Sequence, residues 1–274
     1  MIVRPHIFIF YCLLIFLFVS TFPNKCLAQN LVGHLSEKGI MAHSHNDYEQ
    51  KDLLHKALRY RFVSIEADVH LSGEKLLVAH DAEDTLSYRT LRNLYLEPLK
   101  NIVETTDVRI VLMVDIKSES KTTYKALDAL LNEYQSILTE FENGKTIFRP
   151  VTVVVSGKRD IESLTTSQKR FAGLDGRVKD IGETAYNYPM ISDNWRKHFT
   201  WNGEGDMPPE EFSKLKRMAK VCRKQGNLLR FWAIPEKEKD RRERIWAVLS
   251  AQGVLIGTDK VPELAGFLNY RVDQ

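Results

Sequence analysis

Two carboxylates stand two positions apart in an apolar stretch of the chain. Glu66 and Asp68 lie in residues 62–71, whose β-branched and apolar side chains are typical of a strand. Residues i and i+2 of a strand point to the same face, so these carboxylates project together. Neighbouring carboxylates repel unless a cation lies between them, and a hard divalent cation takes oxygen ligands. The alternative is a solvated strand face with two surface acids.

A third carboxylate, Asp115, lies near the end of residues 109–117, which are almost continuously apolar. Such a run is typical of a parallel strand buried on both faces. A carboxylate there is costly unless it is paired or bound to a metal. We therefore expect Asp115 to join Glu66 and Asp68 as a ligand of Mg²⁺ or Ca²⁺. A simple Asp115–Lys117 ion pair is the alternative, although burying a charge for an ion pair rarely adds stability.

Three histidines follow apolar stretches: His43, His45 and His80. Imidazole titrates near neutral pH, so two histidines on opposite sides of a phosphodiester can act as general base and general acid. We favour His43 and His80 as this pair and His45 as a substrate contact. Which histidine is the acid stays open, and an ordinary loop position is the alternative for each. Lys117 can place positive charge against the phosphate.

Apolar stretches that end in polar residues alternate with segments of helical spacing. We predict strands near residues 39–43, 62–71, 75–80, 109–117, 151–155, 171–174, 190–195, 228–235 and 253–259. The predicted helices span residues 52–60, 90–105 with a kink at Pro98, 121–141, 240–250 and 261–268, and one begins at Pro208. This alternation predicts a parallel α/β fold. Polar residues at the strand ends, without a glycine-rich dinucleotide turn, favour a TIM-type (β/α)8 barrel over an open sheet.

Residues 1–28 have the features of a signal peptide. Arg4 precedes an apolar run over residues 7–22, and Leu27-Ala28 forms a small-residue cleavage site before Gln29. The run is near the short end for a membrane span, so an uncleaved anchor is the alternative. We predict one barrel domain over residues 29–274, secreted or periplasmic after cleavage.

Composition and the absence of two motifs disfavour several classes of protein. Of three cysteines only Cys222 lies outside the predicted signal peptide, so no disulfide framework is expected. The formal net charge is +3, too small to steer the protein to nucleic acid. We expect a monomer, and peripheral contact with a membrane surface stays open. The sequence has no Gly-Lys-Ser/Thr phosphate loop and no Gly-x-Ser-x-Gly elbow, which disfavours nucleotide hydrolases and serine esterases built on those motifs.

The order of these motifs resembles the glycerophosphodiester phosphodiesterase superfamily, which sits with phosphatidylinositol-specific phospholipases C and sphingomyelinases D among phospholipase-C-like barrels. The motifs are Ala42-His43, Ile65-Glu66-Ala67-Asp68-Val69, Val78-Ala79-His80-Asp81 and Val114-Asp115-Ile116-Lys117. The resemblance implies a phospholipase-C-like barrel with the family's two catalytic histidines at His43 and His80. It also places the metal acids at Glu66, Asp68 and Asp115 and the strand lysine at Lys117.

Other motifs refine the resemblance. Asn46 stands where sphingomyelinases D have an asparagine, and Asp115-Ile116-Lys117 resembles their Asp-Leu-Lys. The phosphodiesterases usually have His-Arg-Gly and a later Glu-Asn-Thr, whereas this chain has His43-Ser44-His45 and lacks the second triplet. Residues 42–48 resemble a less-studied branch that includes a fungal protein named for altered inheritance of mitochondria and secreted bacterial relatives. We assign Asn46 and Trp232 to substrate binding, with core packing as the alternative for Trp232.

The combined interpretation is a secreted metal-dependent phosphodiesterase. We expect it to cleave a glycerophosphodiester or phospholipid-type phosphodiester, by hydrolysis or through a cyclic phosphate. A catalytically inactive barrel that binds lipid or carbohydrate is the alternative, because folds are reused without activity. A membrane-tethered structural protein is a third possibility.

Overall fold

The computed structural model describes residues 30–269. The described part has twelve strands: β1 (Ile40–Ser44), β2 (Phe62–Ser72), β3 (Lys75–Val78), β4 (Ile110–Ile116), β5 (Glu140–Glu142), β6 (Lys145–Ile147), β7 (Val151–Gly157), β8 (Lys169–Arg170), β9 (Ala172–Gly176), β10 (Met190–Asn194), β11 (Leu228–Trp232) and β12 (Leu255–Thr258). Its α-helices are α1 (Leu31–Ser36), α2 (His55–Arg59), α3 (Glu97–Thr105), α4 (Ser120–Asn132), α5 (Ile161–Thr166), α6 (Trp195–His198), α7 (Pro209–Gln225), α8 (Lys239–Ala251) and α9 (Val261–Phe267).

Eight of the strands form a closed parallel barrel. They pair in the order β1-β12-β11-β10-β9-β7-β4-β2, and β1 pairs with β2 to close the ring. This architecture confirms the predicted (β/α)8 class. Because all eight strands run in parallel, their carboxyl ends meet at one mouth of the barrel, which is where side chains that follow the strands converge.

The core has two parts. The larger lies between the outer face of the barrel and the surrounding helices, and it includes Ile65, Leu112 and Trp246. The smaller lies inside the barrel, where Leu31 and Leu35 of α1 pack against inward-facing residues. The interior members from the barrel strands are Val63, Val111, Met113, Val154, Met190, Leu228 and Leu255. Toward the mouth the inward-facing residues become polar, so this apolar layer supports the base of a polar chamber.

Two predicted elements differ from the structure. The stretch before His80 does not form a barrel strand, because β3 runs antiparallel to β2 and makes a hairpin on it. The helix predicted over residues 121–141 ends at Asn132. Asn143 and Gly144 both have positive φ, 50° and 77°, and they turn the chain between the paired strands β5 and β6. This is the two-residue hairpin that Asn-Gly favours, and it lies in a separate small sheet.

The helix around Pro98 is irregular, as predicted. A π-helical stretch over Arg92–Leu96 leads into α3, which has Pro98 in its first turn. Cys222 is free and buried. None of the helices in residues 30–269 has the length and hydropathy of a membrane span. The predicted signal peptide, residues 1–28, lies outside the described residues.

Candidate active site

Three carboxylates converge inside the mouth of the barrel. Glu66 and Asp68 point inward from β2 and Asp115 from β4, and one oxygen of each lies within 4.8 Å of the others. The register explains this convergence, since Asp68 and Asp115 are direct neighbours across the parallel β2–β4 pair. Asp68 Oδ1 is buried and has no hydrogen-bond partner within residues 30–269. A buried carboxylate oxygen without a donor indicates that a cation belongs nearby.

Lys117 lies between two of these acids. Its Nζ is 2.9 Å from Asp68 Oδ2 and 3.2 Å from Asp115 Oδ1. Burial, together with repulsion from Glu66 and Asp68, raises the pKa of Asp115 to about 6 although Lys117 opposes the shift. Three carboxylates and one ammonium leave a surplus of negative charge. The Asp115–Lys117 ion pair considered from sequence therefore exists, but as part of a larger acidic group.

Glu66 connects the acidic group to His43. Its Oε2 is 2.8 Å from His43 Nε2 and 3.2 Å from an Arg230 nitrogen. Burial alone would raise the pKa of Glu66, but Arg230 and the contact with His43 lower it well below its usual range. Both contacts use the same oxygen, so Oε1 stays available for another ligand.

His43 is fully buried in β1, and both of its ring nitrogens are engaged. Nδ1 is 2.8 Å from Ser64 Oγ and Nε2 faces Glu66. A carboxylate only accepts hydrogen bonds, so Nε2 of a neutral ring donates to Glu66 and Nδ1 accepts from Ser64. Burial, with help from Arg230, lowers the pKa of His43 to about 4. His43 is therefore a neutral imidazole at neutral pH.

His80 enters the site from the segment that follows β3. Its side chain is 55% exposed, and its Nδ1 is 3.1 Å from Asp68 Oδ2. Tyr48 donates to the same oxygen at 3.0 Å. Since Nδ1 is directed to Asp68, Nε2 is the ring nitrogen that can exchange a proton with a ligand in the mouth.

His45 lies on the other side of the mouth, after β1. Its Nδ1 is 2.7 Å from Asp259 Oδ1, at the end of β12. Burial would lower the pKa of His45, but Asp259 and Glu66 raise it. A cavity of about 280 Å³ opens beside it and includes the indole of Trp232, which is 39% exposed. Trp232 is thus a wall of the mouth and is not part of the packed core.

Asn46 occupies a strained turn next to the site. Its φ and ψ are 44° and 46°, in the left-handed region that asparagine tolerates. The following residue, Asp47, is buried and accepts hydrogen bonds from Ser44, Leu54 and Tyr95. These bonds fix the loop, but no contact of the Asn46 side chain with the acidic group is recorded, so its substrate role stays a prediction.

The structure adds residues that sequence reasoning missed. Ser64 contacts His43, and Arg230 contacts Glu66. Tyr48 donates to the Asp68 oxygen that His80 also contacts, and Asp259 contacts His45. Asp259 is the last residue of a predicted strand, a position that could have indicated it. Arg230 has no such signal, because its partner Glu66 is 164 positions away.

A second polar group lies beside Asp115. Ser156 is its cross-strand neighbour on β7 and donates to Asp175 Oδ2 at 2.8 Å. Arg177 and Ser192 contact the same oxygen of Asp175. These groups extend the polar chamber around the wall opposite β1.

The arrangement resembles no nucleophile–base–acid triad; it is an oxygen-ligand cluster with histidines on either side. The cluster offers three carboxylate oxygens, which are donors that hard divalent cations prefer. Such a cluster can bring a phosphoryl oxygen to a cation while the histidines transfer protons.

Comparison with known proteins finds fungal relatives. The chain is 26% identical over 264 residues to the altered inheritance of mitochondria protein 6 homolog of Arthroderma benhamiae, covering 83% of each chain. It is 27% identical over 252 residues to altered inheritance of mitochondria protein 6 of Eremothecium gossypii, covering 77% of this chain and 65% of that one. The Saccharomyces cerevisiae protein of the same name is 30% identical over 197 residues, which are 58% of this chain and 50% of its own length.

Among solved structures, the phosphatidylinositol-specific phospholipase C of Listeria monocytogenes aligns with a TM-score of 0.48 at 10% identity, over 89% of this chain and 90% of that one. A family model for the AIM6-like phosphodiesterase domain matches residues 36–109 and 104–173. These segments include His43, His80 and all three acids of the cluster. The chain belongs to the AIM6-like phosphodiesterase domain family.

Proposed function

We propose that this protein is a divalent-cation-dependent phosphodiesterase that cleaves a glycerophosphodiester or phospholipid-type phosphodiester. The observation that carries the proposal is the cluster of Glu66, Asp68 and Asp115, with one oxygen of each within 4.8 Å of the others. His43 and His80 flank this cluster. Membership of the phosphodiesterase domain family supports the reaction type, and the kind of diester is proposed from this chain's own site.

Glu66, Asp68 and Asp115 would hold the cation. The buried Oδ1 of Asp68 and the raised pKa of Asp115 support this assignment, because both are expected where carboxylates cluster without enough positive charge. A bound cation would polarise a phosphoryl oxygen. Lys117 adds a fixed positive charge on the same side of the site.

His80 is the proposed acid. Asp68 holds its Nδ1 and so sets the orientation of the ring, which leaves Nε2 to donate a proton to the leaving alcohol. The ring is half exposed, as expected for a group that exchanges protons with solvent between turnovers.

His43 is the proposed base. Its lowered pKa keeps it neutral near neutral pH, which is the form that accepts a proton. In the tautomer described above Nε2 carries the ring proton and Nδ1 accepts from Ser64. For Nε2 to act as the base, the ring must carry its proton on Nδ1, which then donates to Ser64 Oγ, and Nε2 must turn from Glu66 to the substrate. The accepted proton comes from water or from a substrate hydroxyl, and the second case gives a cyclic phosphate.

We also propose that the protein is exported after removal of residues 1–28. The apolar run at residues 7–22 and the Leu27-Ala28 ending support this proposal. Mass spectrometry of the mature amino terminus tests it, and an intact residue 1 on the purified native protein would contradict it.

Hydrolysis assays test the activity. The substrates are bis-(p-nitrophenyl) phosphate and a panel of glycerophosphodiesters and lysophospholipids, assayed after EDTA treatment with Mg²⁺ or Ca²⁺ restored. We expect turnover that returns with the cation and is lost in Glu66→Gln, and ³¹P NMR distinguishes a monoester from a cyclic phosphate. Turnover that survives removal of the metal would reject the cation-dependent mechanism.

A further inference from the structure

Arg230 is a buried charge in the middle of an apolar strand. It is 4% exposed on β11, and its side chain enters the barrel. One guanidinium nitrogen is 3.2 Å from Glu66 Oε2, and another is 3.8 Å from Met113 Sδ. Its Nε is buried and has no hydrogen-bond partner within the described residues. A buried charged donor left unpaired is costly. Other arginines, Arg242 among them, also have an unpartnered Nε, but Arg230 differs from Arg242 in lining a cavity that a ligand can enter.

Arg230 lines the 280 Å³ cavity together with His45 and Trp232. Gly257 of β12 forms the wall over it. A Cβ at this position would lie 3.1 Å from Arg230 Nε and 3.5 Å from His43 Cδ2. The absence of a side chain at Gly257 therefore keeps free the space next to the unpaired donor and next to the proposed base.

The charge around Arg230 favours an anion in that space. Within residues 30–269, Glu66 Oε2 is the carboxylate oxygen in ion-pair contact with Arg230, and that oxygen is shared with His43. The cavity lining adds Arg196 and Lys237 against Glu236 and Asp259, so the basic side chains outnumber the acidic ones. When Glu66 also binds a cation, its single negative charge is shared among the cation, His43 and Arg230. The positive charge of the guanidinium is then only partly neutralised, and it can attract an anion. Guanidinium carries five donors in a planar fork that matches the oxygens of phosphate, which makes it a common phosphate ligand.

We propose that Arg230 binds the non-bridging phosphoryl oxygens of the substrate from the cavity side, opposite Lys117. This inference rests on the proposed function and assigns the anion subsite within it. The cavity, at about 280 Å³, is near the small end for ligand pockets. It therefore takes the phosphate and a small polar alcohol, while any larger part of the substrate extends from the mouth toward solvent.

The competing explanation is that Arg230 only positions Glu66. The two roles separate experimentally, because a positioning residue acts on the metal whereas a phosphate ligand acts on the anion. Arg230→Met removes the guanidinium. Gly257→Ala keeps both Arg230 and Glu66 and places a Cβ 3.1 Å from Arg230 Nε and 3.5 Å from Nη2, so it fills the space beside the guanidinium. Arg242→Met is the matched control, since Arg242 is also a buried arginine paired with a glutamate, Glu263, but lies on α8 outside the barrel.

The experiment is isothermal titration of the Mg²⁺-loaded full chain with inorganic phosphate, alongside titration of each metal-free variant with Mg²⁺. We expect phosphate affinity to fall roughly 10- to 100-fold in Arg230→Met, the loss of one charged hydrogen bond, and to fall also in Gly257→Ala. Mg²⁺ affinity should stay within about twofold of wild type in Gly257→Ala, which keeps the guanidinium, whereas in Arg230→Met it should change because Glu66 loses a partner. Arg242→Met should match wild type, and guanidinium ion should restore phosphate binding to Arg230→Ala.

Unchanged phosphate affinity in Arg230→Met would overturn the inference, as would wild-type protein that binds no phosphate. Loss of Mg²⁺ affinity with phosphate binding unaffected in Gly257→Ala would establish the positioning role instead. Turnover of diesters is measured separately. A protein that binds phosphate through Arg230 but cleaves no diester would refute the proposed function and leave this subsite standing.

Discussion

Asp68 lies directly beside Asp115 in the register of β2 and β4, and the ammonium of Lys117 contacts both carboxylates. Like charges placed side by side on neighbouring strands destabilise a sheet. The barrel topology nevertheless holds them together, because the residues that precede each acid in its strand, 62–67 of β2 and 110–114 of β4, are all buried. Lys117 offsets one of the two charges, and a divalent cation would offset the rest.

Replacing Asp68 should therefore weaken cation binding. We expect Asp68→Asn to reduce Mg²⁺ affinity by at least about 10-fold, the loss produced even when an outer partner of a metal ligand is removed. Isothermal titration measures the affinity. Asp107→Asn is the control, because Asp107 is an exposed acid paired with Lys38 away from the mouth. Equal affinity in the two variants would contradict the ligand assignment.

The cation should also stabilise the fold. A ligand present at 100 times its dissociation constant adds about 2.7 kcal/mol to the free energy of unfolding. We expect the melting temperature to rise with Mg²⁺ in the wild type and to stay constant in Asp115→Asn, as followed by circular dichroism. Without the cation, Asp115→Asn should be no less stable than wild type, since it removes a repelled buried charge.

His80→Ala should reduce turnover by roughly 10²- to 10⁴-fold, the usual contribution of a general acid. The Mg²⁺ affinity should fall by less than the activity does, because the ring contacts Asp68 Oδ2 and leaves Oδ1 to the cation. Steady-state kinetics on bis-(p-nitrophenyl) phosphate measure the loss. His55→Ala is the control, an exposed histidine on α2. Full activity in His80→Ala would exclude it as the acid.

Gly157 sets the position of Asp115. Its φ is 68°, and a Cβ there would lie 2.2 Å from Asp115 Oδ1. Gly157→Ala should therefore displace the carboxylate and lower both Mg²⁺ affinity and activity. Gly144→Ala is the matched control: its φ is 77°, but nothing lies within 4 Å of the added carbon. In both variants the left-handed backbone costs roughly 1 kcal/mol of stability. A loss of Mg²⁺ affinity and activity that occurs in Gly157→Ala alone is therefore due to the crowding of Asp115.

Glu211 gives a prediction for pH. Its carboxylate accepts hydrogen bonds from Thr200 N at 2.8 Å, Thr200 Oγ1 at 2.7 Å and Trp201 N at 3.1 Å. Burial would raise its pKa, but these bonds lower it. The folded-state pKa is below the unfolded one, so the stabilisation is complete above the unfolded value and is lost as the pH falls through the folded value.

The variant Glu211→Gln should therefore lose up to about 1 kcal/mol at pH 7. The difference from wild type should shrink below pH of about 4, near the unfolded pKa of glutamate. Urea unfolding at several pH values measures it. Glu210→Gln, at the exposed preceding position on α7, should show neither effect, and a pH-independent deficit in Glu211→Gln would reject the carboxylate's role.

The sequence predicts the strands that carry the acids because those strands are buried on both faces. β2 and β4 are long apolar runs, and their boundaries match the predicted ones within about a residue. The i and i+2 spacing then places Glu66 and Asp68 on the same face of β2, independently of the tertiary structure. Their convergence with Asp115 needs only that the strands be parallel neighbours.

Other features depend on contacts that no local pattern encodes. Arg230 stands in a strand that otherwise looks like core, and only the closed barrel brings it to Glu66. The orientation of β3 was also unpredictable from hydrophobicity, since an antiparallel hairpin strand and a barrel strand bury similar residues. The early end of α4 was readable in principle, because Asn143-Gly144 is a strong hairpin signal.

The pairing of β3 with β2 has a consequence for how activity is lost. β3 pairs with β2 alone among the barrel strands, and beyond it His80 begins the exposed segment of residues 80–89. The acids and His43, by contrast, sit in strands paired on both sides. On its other edge β3 meets the end of its own loop, through Val78 N to Arg89 O and an antiparallel Leu77–Thr90 bridge. The hairpin strand and its exposed loop can therefore open together, at a lower free energy than the global unfolding transition. Mild heat or denaturant should thus separate His80 from Asp68 while the barrel stays intact, so inactivation precedes unfolding, and amide hydrogen exchange should be faster in residues 75–89 than in β2 or β4.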